Sequence, residues 1–502
     1  MRSGRRSWLA VFAAALFVGA LAAWLLSSRG SPARPPAGPT ILRDDALLTR
    51  GSSPRVAAAL ETARRLGVDW IRATARWSAI APSPRSRGAP TFDAGDPDAY
   101  PAAGWQSLDR LAHLAARRRL RLMIDVAGPP PRWASGSGGG DAGAYGRFAA
   151  AVAQRYSGRV RGLPAAAAFA VWDEPNSPAG LRPQWLRRSG RWIVASADRY
   201  RAMVYAAYPA IKRSAPRSLV LLGNTSPTGP ARPRGTNSAV APLRFVRALA
   251  CVSPRDAPLR AGGCARFRPL PGDGWAHQPY AGTAAPWRRD PHLDDAPISG
   301  LGRLASLLRR LRAQARLERA MPVYVSAFGY RTDPPDPDRS VGLYRQARWL
   351  GEAEWIAQRT SGARGFAQSP LRDPPLGSRA PGSGLELPRG TPKPAMAAFA
   401  YTLVVHYLGP HHVALWGRVR PRGSRGRFRI TVRRLDSVWR PLPVFNRERR
   451  TDEDGSFEVE ARTGPGGVLV DARSAFRLEL MHDRDWRPAG LPVFGAQVLA
   501  PG

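Results

Sequence analysis

The run Ala167-Ala168-Phe169-Ala170-Val171-Trp172-Asp173-Glu174-Pro175-Asn176 decides how this chain folds. From Ala167 to Trp172 it is short, continuous and apolar, the pattern of a strand buried on both faces. Pro175 cannot donate to a ladder, so the strand stops there and leaves the Glu174 carboxylate at its end.

The same grammar recurs on both sides. Further candidate strands are Ile41–Leu47, Asp69–Ala75, Arg119–Val126, Leu219–Gly223, Gly274–Ala276, Pro322–Ser326 and Gly365–Gln368. Between them lie helix-like segments: Pro54–Leu66, Gln106–Arg118, Ala142–Tyr156, Ser196–Ser214, Ser299–Leu317 and Leu343–Arg359. Eight strand-then-helix units with continuous apolar strands predict an α/β fold, a (β/α)8 TIM barrel over residues 41–407. No Gly-rich dinucleotide turn speaks for an open sheet. Residues 408–502 read differently. Val413–Trp416, Arg427–Val432, Ser437–Val444 and Ser456–Ala461 are short, partly alternating runs divided by turns such as Asp452–Gly455. They predict a small antiparallel, sandwich-like β domain.

Residues 1–30 are a membrane or signal segment. Arg2, Arg5 and Arg6 precede an uncharged apolar run from Trp8 to Leu26, close to the about 20 residues that cross a bilayer. Trp8 and Trp24 near its ends favour an uncleaved signal-anchor, and a cleaved signal peptide is the alternative. Either way, the basic residues keep the short N-terminal side cytoplasmic and the rest is exported, membrane-anchored or secreted. Residues 31–40, rich in Pro, Gly and Ala, form a linker. In an exported chain Cys251 and Cys264 are expected to pair, closing a loop worth roughly 3 kcal/mol in the chain-entropy model. No metal-ligand cluster and no cofactor motif accompanies them.

The formal charge of +39 comes almost wholly from arginine, since Lys212 and Lys393 are the only lysines. Arg, Ala, Gly and Pro enriched together is what GC-rich codons produce, and runs such as Arg309–Arg312 read as solvated helix faces. The field still attracts anionic cell-surface polymers. No nucleic acid partner is expected, because no helix-turn-helix, zinc or RNA-recognition signature is present.

In barrels of this kind, function collects at the C-terminal strand ends. Those ends carry Arg72 and Trp77, Asp125, Trp133, Trp172 with Asp173-Glu174, Asn224, His277 with Tyr280, and Phe328 with Tyr330 around Ala327. Rings that stack on C–H faces, with polar groups at the side, suit a carbohydrate ligand. Plainer roles are open beside these: a salt bridge or helix cap for Glu174, an internal ion pair for Arg72, and a satisfied buried imidazole for His277.

Here the chain resembles the clan A glycoside hydrolases, in particular cellulase-like barrels of actinobacterial exported proteins. The likeness spans roughly Ile41 to Phe399. It rests on Leu66-Gly67-Val68-Asp69-Trp70-Ile71-Arg72, on Pro130-Pro131-Arg132-Trp133-Ala134 and on Trp172-Asp173-Glu174-Pro175-Asn176. Asp273-Gly274-Trp275-Ala276-His277-Gln278-Pro279-Tyr280, Val325-Ser326-Ala327-Phe328-Gly329-Tyr330 and Gly390-Thr391-Pro392-Lys393-Pro394-Ala395 complete it.

The resemblance implies that Glu174 is the acid/base of glycosidic hydrolysis, with its pKa raised. It implies that Arg72, His277 and Tyr280 steady the substrate or nucleophile. Asp173 stands where the family has Asn. Ala327 stands where the family has its nucleophilic Glu, usually about 5–5.5 Å from the acid/base. A methyl cannot attack, so the usual retaining reaction is closed.

Three expectations follow. Another carboxylate (Asp125, Asp173, Asp333 or Asp336) substitutes and activates water from about 6.5–9.5 Å. Alternatively the barrel is a pseudoenzyme that binds glycan without cutting it. The third is a basic surface module for anionic polymers, with the barrel as scaffold. Asp333 and Asp336 also read as solvated residues of a Pro-rich turn.

Overall fold

The computed structural model describes residues 38–136, 140–378, 380–409, 412–420, 427–434, 440–442, 449–462, 474–482, 485–494 and 497–498. The apolar run Trp8–Leu26 and most of the linker lie outside the described residues. Among the described residues no helix is long and apolar enough to cross a membrane.

Eight parallel strands close into a barrel. They are β1 (Thr40–Arg43), β2 (Trp70–Arg76), β3 (Arg121–Ala127), β4 (Ala168–Val171), β5 (Leu219–Thr225), β6 (Gly274–His277), β7 (Val323–Val325) and β8 (Ala363–Gln368). β1 pairs with β8 and with β2, which shuts the ring. Helices α1 (Ser53–Arg65), α2 (Ala102–Ala116), α3 (Ala142–Arg155), α4 (Ala195–Ser214), α5 (Pro242–Leu249), α6 (Leu301–Ala313), α7 (Leu343–Arg359) and α8 (Pro394–Ala400) follow the strands in turn. The α/β barrel expected from the sequence is therefore present. Two of its helices, α5 and α8, escape periodicity because each is short and begins at a proline, which suits the first helical turn.

The opening strand is shorter than the expected Ile41–Leu47. After Arg43 the Asp44 carboxylate accepts a hydrogen bond from the Leu47 backbone N–H and caps a helical turn, Asp45–Arg50. An acidic residue before an apolar stretch is an N-cap signal, and here it overrides strand propensity.

The period of two along each strand fixes what the barrel encloses. On β2, Ile71, Ala73 and Ala75 join the main core, while Trp70 faces the lumen with Ile41, Met123, Ala168, Ala170, Leu221, Ala276, Tyr324 and Ala367. Trp70 stacks on Tyr324 with ring centroids 6.2 Å apart. The small alanines let these rings fill the lumen. Above this apolar plug the same lumen-facing rows turn polar, and the site begins there.

The C-terminal part is a β domain of two mainly antiparallel sheets. One contains β9 (Tyr401–Gly409), β10 (His412–Val419) and β12 (Ser456–Arg462); the other contains β11 (Arg427–Arg434), β13 (Ser474–His482) and β14 (Asp485–Phe494). Leu403, Val405, Leu415 and Phe457 from the first share a core with Ile430, Phe476 and Leu478 from the second, as in a sandwich. Most of the expected strand Ser437–Val444 lies outside the described residues.

A buried seam ties this domain to the barrel. Glu354 on α7 is ion-paired with Arg418 (3.2 Å) and with Arg420, and all three side chains are sealed from solvent. Arg420 also donates to the Phe399 carbonyl. Its own carbonyl lies so close to Gly67 that a Cβ there would sit 2.1 Å away; Gly67 also has φ +70°. Elsewhere the expected disulfide joins Cys251 and Cys264. Both lysines are ion-paired: Lys212 with Asp273 and Lys393, fully buried, with Asp373, each at 2.6 Å.

Candidate active site

The polar layer is built around Arg72, which sits one inward step above Trp70 and has no solvent exposure. Its Nε donates to Asp125 (2.9 and 3.1 Å), and its Nη1 donates to the Ser326 carbonyl (2.8 Å). Its Nη2 donates to Asn224 Oδ1 (3.1 Å) and Asp173 Oδ1 (3.2 Å). Asp125 comes from the inward row of β3 and is equally sealed. Burial pushes its carboxyl up, and the Arg72 charge opposes that. A buried charge persists only when paired and hydrogen-bonded, and Arg72 meets both conditions.

Asp173 is the upper end of this cluster and is 28% exposed. It accepts from Arg72, Asn224 Nδ2 (2.8 Å), Gln278 Nε2 (2.7 Å) and Arg43 Nη2 (3.3 Å). Arg43 in turn donates to Asp45 (3.3 Å), which also accepts from Thr74 N (2.8 Å) and Thr74 Oγ1 (3.0 Å). Burial alone raises the Asp45 carboxyl; Arg43, Arg72 and the Thr74 bonds outweigh it and hold it below its ordinary value.

Glu174 follows directly. Its backbone is in the left-handed region (φ +46°), as is that of Trp172 (φ +66°). Such residues cost free energy and persist where surrounding bonds dictate them. The bonds are on hand: Glu174 N donates to the Asn224 carbonyl (3.1 Å), and Trp172 N donates to the Val126 carbonyl (3.0 Å). Asn176 locks the following turn through the Ser226 and Val240 carbonyls and the Ser226 N–H. Burial, then the Asp173 charge, push the Glu174 carboxyl up to about 7 against the pull of Arg43. This is the environment a proton donor needs.

These groups open into a cleft of about 510 Å³ at the C-terminal mouth. Its polar lining is Arg43, Asp45, Thr74, Arg76, Ser135, Asp173, Glu174 and Arg182; the rest is mainly Pro, Ala and Gly, with Trp172. Arg43, Asp45, Thr74, Arg76 and Gln278 are absent from the strand ends picked out in the sequence. The signal was the period of two: Ile41 and Arg43 share one inward row and Trp70, Arg72, Thr74 and Arg76 another, while Asp45 opens the helical turn that follows β1.

Several predicted site residues lie elsewhere. Trp77 opens the helical turn Trp77–Ile80 that follows β2, is fully buried and stacks on Phe148 (5.4 Å). Trp133 is half-buried, edge-on to Trp77, and donates to the Pro82 carbonyl (3.0 Å). Tyr330 is buried against Phe328 and Trp349. Trp172 lines the cleft but is only 1% exposed, its indole N–H held by the Gly180 carbonyl. Trp77, Trp172 and Tyr330 are therefore packed into the core, and of them only Trp172 reaches the cleft lining.

His277 is a satisfied buried imidazole: Nε2 meets the Ala296 carbonyl (2.7 Å) and Nδ1 meets Thr225 Oγ1 (2.8 Å). Burial drives its pKa down to about 4, so it stays neutral, and it is not part of the cleft lining. Tyr280 is half-buried, lines two further grooves and stacks on Phe328 (6.3 Å). Burial raises its hydroxyl's pKa, while the Arg43 and Arg72 charges lower it, so the hydroxyl sits within reach of the site's charges. Asp333 is exposed and Asp336 pairs with Arg331 (3.4 Å); neither lines the cleft. Among the described residues no group of three or more metal-ligating side chains occurs.

No family model matches this sequence, and no curated protein matches it. Among solved structures, the chain is similar to a family 39 glycoside hydrolase from the gut symbiont Bacteroides cellulosilyticus WH2. The identity is 12% and the TM-score 0.49, over 88% of this chain and 80% of that one. It is also similar to a glucosidase from Croceicoccus marinus (13%, TM-score 0.48, 87% and 95%). A third likeness is to the GH5_18 of Streptomyces cattleya in complex with GlcNAc (14%, TM-score 0.46, 72% and 79%). Likenesses this distant carry no argument, and the fold rests on the closed strand order itself.

Proposed function

We propose that this is a glycoside hydrolase-type barrel that holds a carbohydrate in the cleft above Arg72, with the retaining reaction closed to it. The observation that carries this is position 327. Ala327 follows β7, is fully buried, and adjoins the Ser326 carbonyl that Arg72 binds. The Arg72 donors are already taken by Asp125, Asp173, Asn224 and that carbonyl, so its charge is compensated without a nucleophile. The carbohydrate itself is supported by the Trp-Asp-Glu-Pro-Asn segment, by the cleft's place at the mouth, and by the raised Glu174 carboxyl. Export is supported by the arginine-flanked apolar run and the disulfide. Fold alone establishes no activity.

The test is a glycan-binding panel run beside turnover of aryl glycosides. Binding that is lost in Asp173→Ala, with no turnover, is the expected result. Burst kinetics from a covalent glycosyl intermediate in the wild-type chain would overturn it.

One observation favours a second reading, hydrolysis with inversion. Asp45 lines the same cleft as Glu174, and β1 stands three strands from β4 on one side as β7 does on the other. Glu174 would give its proton to the leaving oxygen while Asp45 took one from the attacking water. Turnover that yields the inverted anomer by NMR, and vanishes in Asp45→Asn, would replace the first reading with this one.

A further inference from the structure

The cleft offers a ligand few aromatic faces. Of the rings expected around it, only Trp172 is in its lining, and that ring is 1% exposed. Neutral sugars bind largely by stacking C–H faces on exposed rings, and among the described residues the lining of this cleft holds no exposed one.

What it does offer is guanidinium. The inner charges are spent on one another: Arg43 with Asp45 and Asp173, Arg72 with Asp125 and Asp173. Glu174 is held toward its neutral form. Two cations remain. Arg76 is the last, exposed residue of β2, on the inward row that carries Arg72 and Thr74. Arg182 comes from the loop after β4, where its Nε is fixed by the Pro178 carbonyl (2.7 Å) and its other nitrogens are left available. Among the described residues neither has a carboxylate within ion-pair distance. Both line the cleft with Glu174. A guanidinium fixed as Arg182 is, with Arg76 lining the same cleft, suits planar, bidentate oxyanions.

We infer that the glycan this cleft takes is anionic, with a carboxylate or phosphate substituent seated between Arg76 and Arg182. This rests on the carbohydrate reading above and adds its substrate class. Any anionic polymer is drawn to a chain of net charge +39, so the inference concerns the cleft alone.

The test is calorimetric titration at fixed ionic strength with three oligomers of equal length. One is a uronic-acid tetrasaccharide, one a glycerol-phosphate oligomer bearing sugars, and one the neutral tetrasaccharide cellotetraose. Each is measured on the full chain, on Arg76→Ala/Arg182→Ala, and on Arg55→Ala/Arg117→Ala. The last pair removes two equally exposed charges from the barrel's outside.

The inference expects at least one anionic oligomer to bind tighter than the neutral one. It expects about a tenfold loss or more per cleft arginine removed and no change in the outer pair. Whichever anionic oligomer binds tighter identifies the substituent. Equal losses in both double variants, or none in either, would reduce the effect to overall charge and overturn it. Neutral binding that is lost in Asp173→Ala but indifferent to Arg76 and Arg182 would overturn it while leaving the carbohydrate reading intact. Absence of binding to all three would overturn both. Because Arg76 and Arg182 are exposed, their removal leaves the fold in place.

Discussion

Two buried arginine–carboxylate clusters hold this molecule together, and they differ in one respect. In the seam, Glu354 faces Arg418 and Arg420, and every member is sealed. In the site, Arg72 and Asp125 are sealed, but Asp173 and Arg43 above them are 28% and 21% exposed. The seam has a guanidinium to spare and the site a carboxylate. A closed cluster can only join two bodies, whereas one that rises from a dry floor to a wet lip can hand its electrostatics to a ligand. What separates structure from site here is a gradient of exposure, since the residue types are the same.

The largest effect should come from breaking the floor. Arg72→Met removes the charge that opposes burial at Asp125 and forces its carboxyl to take up a proton or stay unpaired in a dry barrel. It should cost about 3–5 kcal/mol by chemical denaturation. Adding Asp125→Asn should recover part of that loss in a double-mutant cycle. Glu354→Gln breaks the seam instead, stranding two buried guanidiniums. It should cost about 3 kcal/mol and speed amide exchange first in β9 and β10, with glycan affinity per folded molecule unchanged. Equal loss of affinity in both variants would erase the distinction between the clusters.

Ala327→Glu sharpens it further. The new carboxylate would enter beside an Arg72 whose donors are taken, costing about 1–3 kcal/mol from overpacking and charge. Asp173→Asn in the same chain should restore most of that stability, because it removes one negative charge from the cluster as the other adds one. Failure to recover would mean that Asp173 and position 327 do not share Arg72.

The smallest effect is a slope. In the folded chain Glu174 titrates at about 7, above its ordinary value of 4.5. The folded state therefore keeps its proton where the unfolded state has lost it. Stability should fall as pH rises from about 4.5 through 7, with the raised carboxyls of Glu352, Asp44 and Asp125 contributing beside Glu174. Glu174→Gln should lessen that slope without abolishing it. Glycan affinity should fall over the same range if the ligand is anionic.

The barrel was legible in the sequence because its strands are continuous apolar runs that stop at polar residues. Glu174 was legible because an apolar strand followed by Asp-Glu-Pro-Asn puts a carboxylate just past a strand end. The strand stops at Val171, however, where Trp172 turns into the left-handed region, and not at Pro175. The rest of the cleft was written in the same strands but in a weaker code. Thr74 and Arg76 sit on the row set by Trp70 and Arg72, whereas the bulk of Trp77 drew attention to the helical turn that follows β2. Arg43 and Asp45 were hidden inside an expected strand that the Asp44 cap cuts short. His277 was misplaced for another reason: Thr225 and Ala296, which satisfy it, are brought near only by the closed barrel. No local pattern reports that.

The seam also governs what kind of object this chain is. β9 starts at the residue after α8 ends, and Arg420 returns beneath α8 to reach Glu354 on α7. A chain cut at residue 400 would not be a barrel relieved of an ornament. It would expose Glu354 and the core face of α7, and carry an unfinished surface into water. Barrel and sandwich should therefore melt in one transition, and the β domain should resist being transplanted as an independent module.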